Sequence, residues 1–381
     1  MESNKPKVLV FTDWYLPGYR AGGPISSVAN LVKAMGKEID FKIVCSDRDY
    51  MTDVPYSNIV QNQWTRIGQA DVFYISPENL SKATIREKLL EFPDHHIYIN
   101  GIFSKYFSVT PLIESNKLNR RITIAPRGML APGALGIKAQ KKRLFLNLSK
   151  FLGWYRRVEF HATHAHEVDQ IKLIVSQKAK ITCIPNLPTL PAIRTQSIDK
   201  QENKIKIVCV ARIAKEKNTL FALECLSHIP SQFRVEANFI GPVYDEDYFE
   251  SCKDLVRVLP GNVAVEFSGS LPPMEVSKEL GRAHLFFLPT LGENYGHAII
   301  EALLNGLPVL ISDKTPWRNL EKHGLGRDFP LSNADPFVNY ISQIAAMSQS
   351  EYQRTFASVG KNAAGQVHLD ENVAAYKNLF R

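Results

Sequence analysis

The stretch Leu285–Asp313, LFFLPTLGENYGHAIIEALLNGLPVLISD, holds a strand, a corner, a helix and a second strand in 29 residues. Leu285–Leu288 is an uninterrupted apolar run, as expected of a strand covered on both faces. Pro289–Asn294 reads as the loop, and Gly296–Asn305 has helical apolar spacing at Ala298, Ile299, Ala302 and Leu303. Gly306 and Pro308 stop that helix, and Leu307–Ser312 is the next strand. A helix beginning near Tyr295 leaves the N–H groups of Asn294, Tyr295, Gly296 and His297 without intrahelical partners. The macrodipole makes the same end favourable for an anion. Glu293 is then expected at the mouth of an anion site. Glu301, one to two turns in, can accept hydrogen bonds from two vicinal hydroxyls of a polyol such as ribose. Two glutamates at this spacing are ordinarily solvated surface groups, so the spacing alone is a weak motif. The complete strand-helix-strand unit around them points to a ligand carrying both phosphate and sugar.

The same alternation extends outward in both directions. Before the stretch, strands are expected at Ile205–Val210, Phe233–Ile240 and Val263–Phe267, with helices at Asn218–Ser227, Glu246–Val258 and Pro273–Gly281. In the first half, Lys7–Asp13, Phe41–Cys45, Val72–Ile75, Ile97–Asn100, Ile122–Pro126, Val158–Thr163 and Ile181–Pro185 read as strands. Ile25–Met35 reads as a helix after a Gly-Gly-Pro turn. Such alternation means parallel sheets covered by helices, so the expected class is α/β with two doubly wound Rossmann-like domains. Pro185-Asn186-Leu187-Pro188, Pro191 and the polar run Arg194–Asn203 break the pattern and mark the boundary. Glu351–Phe380 reads as helical and suited to packing back on the first domain. Neither half has GxGxxG after its first strand, which weakens a dinucleotide reading.

Composition bounds the class. The 381 residues are 45% apolar and 22% charged, which suits two soluble globular domains and excludes disordered and fibrous chains. No apolar run approaches the ~18–20 residues of a membrane span, and the start lacks a signal-like h-region, so a cytoplasmic location is expected. Cys45, Cys183, Cys209, Cys225 and Cys252 lie far apart and read as buried thiols of a reducing compartment. The net charge of +8 favours anionic partners. Nucleic acid is not expected, because no binding motif accompanies a charge that reads as spread along the chain. The densest basic stretch, Lys138–Arg157, interleaves cations with Leu144, Phe145, Leu148, Phe151, Leu152 and Trp154. It suits either peripheral contact with an anionic membrane or an ordinary helix packed on its own sheet.

In the second half, the first strand runs into Ala211-Arg212, and Lys217 precedes the next helix. Loops at the carboxyl ends of parallel strands line the ligand crevice, so Arg212, Lys217 and the Glu293 loop should share one rim. Two cations beside a helix N-terminus suit a diphosphate.

These residues resemble the nucleotide-binding domain of the large retaining glycosyltransferase family 4 (glycosyl transferases group 1), which has the GT-B fold. The likeness is carried by Arg212 with Lys217, the Phe267-Ser268-Gly269-Ser270-Leu271 turn, Leu288-Pro289, Glu293 with Glu301 at the E-x7-E spacing, and Gly306-x-Pro308-Val309. The first half agrees through Gly22-Gly23 and through Ala125-Pro126-Arg127-Gly128-Met129-Leu130. The resemblance implies two Rossmann-like domains across a cleft. Residues 1–190 would bind the acceptor, with a C-terminal helix at about 362–381 packing back, and residues 204–361 would bind the donor. It implies that Arg212 and Lys217 bind the donor diphosphate and that Glu301 binds the ribose. Glu293 and the backbone of Asn294, Tyr295, Gly296 and His297 would face the transferred sugar and β-phosphate, with Gly22, Gly23, Ser270 and Leu271 also at the donor. No metal or other cofactor is implied. The implied partners are a nucleotide-diphosphate sugar and a glycan or polyprenyl-linked acceptor of surface-polysaccharide synthesis. Arg127 stands where many relatives have a histidine near the anomeric centre, so the resemblance implies that it joins Glu293, Arg212 and Lys217 as a catalytic-site residue, contacting phosphate or acceptor; Ala211 and Asn218 are further departures, each replacing a usual glycine.

Rival readings have weaker support. His161-x-x-His164-x-His166 suggests a metal, but strand alternation sends these rings apart. Asp47-x-Asp49 and Asp245-x-Asp247 resemble the metal-binding motif of GT-A transferases, yet short acidic turns are common. Glu293 and Glu301 also match the types of a glycosidase pair, against which the phosphate-directed loops argue. A GT-B epimerase or phosphorylase and a non-catalytic sugar-nucleotide-binding subunit are the functional alternatives.

Overall fold

The structure, a computed structural model, describes residues 5–136, 139–189 and 198–381. It divides into two compact units, residues 1–187 with 369–381 and residues 188–368. Lys138, Pro191 and residues 194–197 of the segments singled out above lie outside the described residues.

The first unit is built on eight strands: β1 Lys7–Thr12, β2 Asp40–Ser46, β3 Trp64–Ile67, β4 Ala70–Ile75, β5 His96–Asn100, β6 Ile122–Ala125, β7 Val158–Ala162 and β8 Lys180–Cys183. Their order is β3-β4-β2-β1-β5-β6-β7-β8, parallel except for β3, which runs antiparallel to β4. Strand side chains alternate between faces, so β1 serves two cores. Leu9 and Phe11 join Ile97, Ile99, Ile124 and Phe160 on one face. Val8 and Val10 join Phe41, Ile43, Tyr74 and Tyr98 on the other. Helix Leu369–Phe380 closes that second core, with Phe380 5.5 Å from Tyr98 and 6.2 Å from Phe41, ring centre to ring centre.

The second unit has six parallel strands: β9 Lys204–Val210, β10 Arg234–Ile240, β11 Val263–Gly269, β12 Leu285–Leu288, β13 Val309–Ser312 and β14 Gly326–Phe329. Their order is β11-β10-β9-β12-β13-β14. All four residues of β12 are buried, because strands flank it and helices cover both faces. Just past β10, Gly241 donates its N–H to the Gly269 carbonyl at 2.8 Å. A Cβ there would come within 2.0 Å of the Ala211 oxygen, and its φ of +152° also favours glycine. The chain leaving β9 therefore lies directly on the chain leaving β10.

Four expectations are corrected. Strands β3 and β14 had no clear signal, because Trp64–Ile67 is a half-exposed edge and Gly326–Phe329 lacks an apolar run. The helix around Glu301 begins at His297, not Tyr295, since Gly296 takes a left-handed φ of 78°. Glu351–Phe380 is not one helical stretch but parts of three helices, Gln349–Phe356, Val359–Gln366 and Leu369–Phe380, with His368 at φ 45° before the last. Cys183, at the end of edge strand β8, is exposed, while the other four cysteines are buried. No helix among the described residues is long and apolar enough to cross a membrane.

Replacing Gly241 with alanine is expected to destabilise the second unit by about 2–3 kcal/mol, because backbone must move to admit the methyl group. Chemical denaturation monitors this, and an unchanged midpoint contradicts the close approach of the β9 and β10 exits.

Candidate functional site

Along the second sheet, β9, β10 and β11 run outward to one side, and β12 then returns to the other side of β9. The loops after β9 and β12 are consequently neighbours at the carboxyl edge, although the chain passes through β10 and β11 between them. Open α/β sheets bind ligands at such a reversal. Three of the residues singled out from the sequence meet there. Lys217 Nζ lies 2.6 Å from Glu293 Oε1, with side chains only 14% and 16% exposed. Arg212 follows β9, pairs with Glu216 at 3.0 Å and lies over the Tyr244 ring at 4.9 Å.

A set of backbone contacts fixes this rim. Thr290 Oγ1 donates to the Glu216 carbonyl at 2.9 Å, and the Leu291 N–H donates to the same oxygen at 2.9 Å. Asn218 has a left-handed φ of 59° and donates its side-chain amide to the Pro289 carbonyl at 3.0 Å. The resemblance drawn from the sequence implies glycine here, and asparagine is the side-chain-bearing residue that best tolerates this conformation. The departure at Asn218 therefore keeps the backbone and adds a tie between the loops.

The corner after Glu293 is held from the next loop. The Glu293 N–H donates to the Lys314 carbonyl at 3.1 Å, and Trp317 Nε1 donates to the Tyr295 carbonyl at 2.7 Å. Ile299 and Ile300 donate to the Gly296 carbonyl, closing the first turn of helix His297–Leu304. Glu301 lies in the middle of this helix, half-buried and without a hydrogen bond to its carboxyl group from a described residue. Burial pushes its pKa from the ordinary 4.5 up to about 7. Ser270 and Leu271 lie past β11 on the same edge of the sheet. Thr290, Trp317, Tyr244 and Glu216 were missed as site residues. Only the first, in the Pro-Thr pair, had a signal close to the motif.

In the first unit, the strand order reverses between β1 and β5. Gly22, at φ 63°, caps helix Gly23–Met35 beside this reversal, and Asn100 at the end of β5 donates to the Pro24 carbonyl at 3.2 Å. The Arg127 guanidinium is engaged by side chains of its own unit. Its Nε donates to Asn100 Oδ1 at 2.8 Å, Nη2 to the Tyr98 hydroxyl at 2.7 Å, and Nη1 to Asn186. Tyr98 in turn lies 2.7 Å from His161 Nδ1, while His161 Nε2 is 2.8 Å from the Ile184 carbonyl.

The rival constellations are engaged elsewhere. Both ring nitrogens of His161 have partners, and no group of three metal-binding side chains occurs among the described residues. Asp47 pairs with Arg48 at 2.8 Å and accepts from Gln61 at 2.6 Å. Asp49 accepts the N–H groups of Tyr19, Arg20 and Tyr50. Asp245 caps a helix by accepting the Tyr248 N–H at 3.0 Å.

Residues 193–363 match the family described as Glycosyl transferases group 1. No protein with a curated description matches the sequence. Among solved structures, the chain is similar to sucrose-phosphate synthase from Thermosynechococcus elongatus, at 15% identity and TM-score 0.66, with 99% of this chain and 98% of that one covered. It is similar to WaaG, a glycosyltransferase involved in lipopolysaccharide biosynthesis, at 12% identity and TM-score 0.65, with coverages of 98% and 99%. It is also similar to Anabaena Alr3699/HepE in complex with UDP-glucose, at 15% identity and TM-score 0.63, covering 95% of this chain and 99% of that one. The chain thus has the GT-B fold from end to end, and its residues 193–363 match the glycosyl transferases group 1 family.

Proposed function

We propose that this protein is a retaining glycosyltransferase that moves a sugar from a nucleotide-diphosphate sugar to a hydroxyl of a glycan or polyprenyl-linked acceptor. The observation that carries the reading is the Lys217–Glu293 pair, at 2.6 Å beside Arg212 and at the reversal of the second sheet. A largely buried cation held by one carboxylate is poised to exchange that carboxylate for a phosphate. The solved relatives support the ligand class: the HepE structures hold UDP and UDP-glucose, and a TarM structure holds UDP. WaaG, with its lipopolysaccharide role, supports an acceptor of surface-polysaccharide assembly.

Breaking the bond between the anomeric carbon and the diphosphate leaves an oxocarbenium-like sugar and a more negative phosphate. Arg212, Lys217 and the N-terminus of helix His297–Leu304 are fixed by the fold before charge develops. They therefore stabilise the transition state more than the ground state, and this electrostatic role needs no metal. The acceptor hydroxyl attacks on the face that the diphosphate leaves, its proton passing to the departing phosphate oxygen, so no protein nucleophile is required. Glu293, released from Lys217, faces the transferred sugar. Glu301 takes the ribose hydroxyls, and Ser270 and Leu271 lie on the nucleoside side. Arg127 acts by position, tying the ends of β5 and β6 to Asn186.

Lys217→Met is expected to lower kcat/KM by about 10²-fold or more, the usual scale for losing one preorganised group at a developing charge. A change below threefold in steady-state rates contradicts the role of Lys217. Activity is expected to persist in excess EDTA, and its loss with rescue by Mn²⁺ contradicts metal-free chemistry.

Glu301 provides a test with opposite signs. Its raised pKa makes its burial increasingly unfavourable as pH rises from about 4.5 to 7, with the full cost present above 7. Glu301→Gln should therefore stabilise the protein without nucleotide by about 1–3 kcal/mol at pH 8 and leave it unchanged near pH 4. It should also weaken binding of a nucleoside diphosphate. Thermal melts and calorimetry read both effects, and unchanged affinity contradicts the ribose contact.

A further inference from the structure

Helix Ala139–Phe151 carries two apolar faces. The inner face anchors it: Leu146 and Ser149 are buried, Phe145 packs 5.8 Å from Phe103, and Lys142 donates to the Ala134 carbonyl at 2.6 Å. Among the described residues, none covers the outer face. Leu144 is 71% exposed, Leu148 48%, Phe151 84% and Leu152, one residue past the helix, 49%. At about 100° per residue, these four fall within an arc of about 100°, the width of an amphipathic stripe. Inward packing and an outward apolar stripe, set against each other in the sequence reading, thus coexist in one helix.

The charge around this stripe has one sign. Residues 115–158 contain no aspartate or glutamate and eleven lysines or arginines, so this segment alone exceeds the net charge of +8 for the whole chain. The remainder carries a small negative excess, which corrects the expectation that positive charge is spread evenly. Lys141 stands in the arc of the exposed stripe, one turn before Leu144. Arg143 and Lys150 are exposed on one flank of the helix, and Arg156 and Arg157 are exposed in the turn that follows it. An apolar strip bordered by cations, with no carboxylate in the segment, is complementary to a surface with anionic headgroups above hydrocarbon; a protein partner of ordinary mixed charge matches it less well.

We propose that helix Ala139–Phe151 and the turn through Arg157 dock the protein on an anionic lipid bilayer, with Leu144, Leu148, Phe151 and Leu152 entering the acyl boundary and the surrounding cations meeting headgroups. The proposal rests on neither the donor nor the acceptor assignment.

Flotation of the full chain with vesicles tests it. The chain should bind vesicles in which a third of the lipid is phosphatidylglycerol, bind pure phosphatidylcholine vesicles about tenfold or more weakly, and dissociate as salt is raised. Leu144→Ser with Phe151→Ser should reduce partitioning by about tenfold or more, and Lys141→Glu with Arg156→Glu should do the same. Both double variants alter exposed side chains and should keep the wild-type melting temperature, separating lost docking from misfolding. Absence of binding to anionic vesicles, equal binding to neutral ones, or binding that survives both variants overturns the proposal. So does a concentration-dependent increase in mass that the Leu144→Ser/Phe151→Ser variant abolishes in the absence of vesicle binding, because that face would then join two copies of the chain.

Discussion

The site in the second unit depends on one pairing, that of β12 alongside β9, with Phe286 opposite Val208. Strand β9 is followed outward by β10 and β11, so placing β12 on its other side sets the loops after β9 and β12 side by side at the carboxyl edge of the sheet. Arg212 and Lys217 come from one loop and Glu293 from the other. The buried apolar run Leu285–Leu288 drives the pairing, and the ties from Thr290, Leu291 and Asn218 hold the loops in register once it has formed.

Electrostatics then separates the two glutamates of the E-x7-E spacing. Glu293 is beside a cation that compensates its burial. Glu301 is placed where burial raises its pKa and no described residue supplies a compensating hydrogen bond. A half-buried carboxyl group that no described residue supplies with a hydrogen bond is costly in a site that serves only stability. The cost is understandable if a ligand supplies the missing donors. Lys217 shows the complementary logic: its carboxylate partner keeps a buried ammonium satisfied and can yield to a more highly charged phosphate.

Much of this was legible in the residues. The Leu285–Asp313 unit could be read because two-sided burial leaves an unbroken apolar run and glycine and proline punctuate the helix that follows. Arg212 and Lys217 could be placed on its rim because parallel sheets put their loops at one edge. The edge strands Trp64–Ile67 and Gly326–Phe329 escaped because an edge has little need of apolar continuity. Trp317 escaped because its role is a single hydrogen bond to the Tyr295 carbonyl, made from the loop after β13. Arg127 was identified as a departure, but its donors turn toward Asn100, Tyr98 and Asn186 through contacts distant in sequence. The outer stripe of helix Ala139–Phe151 could not be told from its inner one by composition, since both are apolar and only packing decides which is covered.

The central claim is that the Lys217–Glu293 pair occupies the place where a donor diphosphate binds. A crystal structure with UDP bound tests it most directly. The account predicts phosphate oxygens within hydrogen-bonding distance of Lys217 Nζ and Arg212, Glu293 separated from Lys217, and the ribose hydroxyls on Glu301. A nucleotide bound elsewhere, or one bound with the 2.6 Å pair intact, would contradict it.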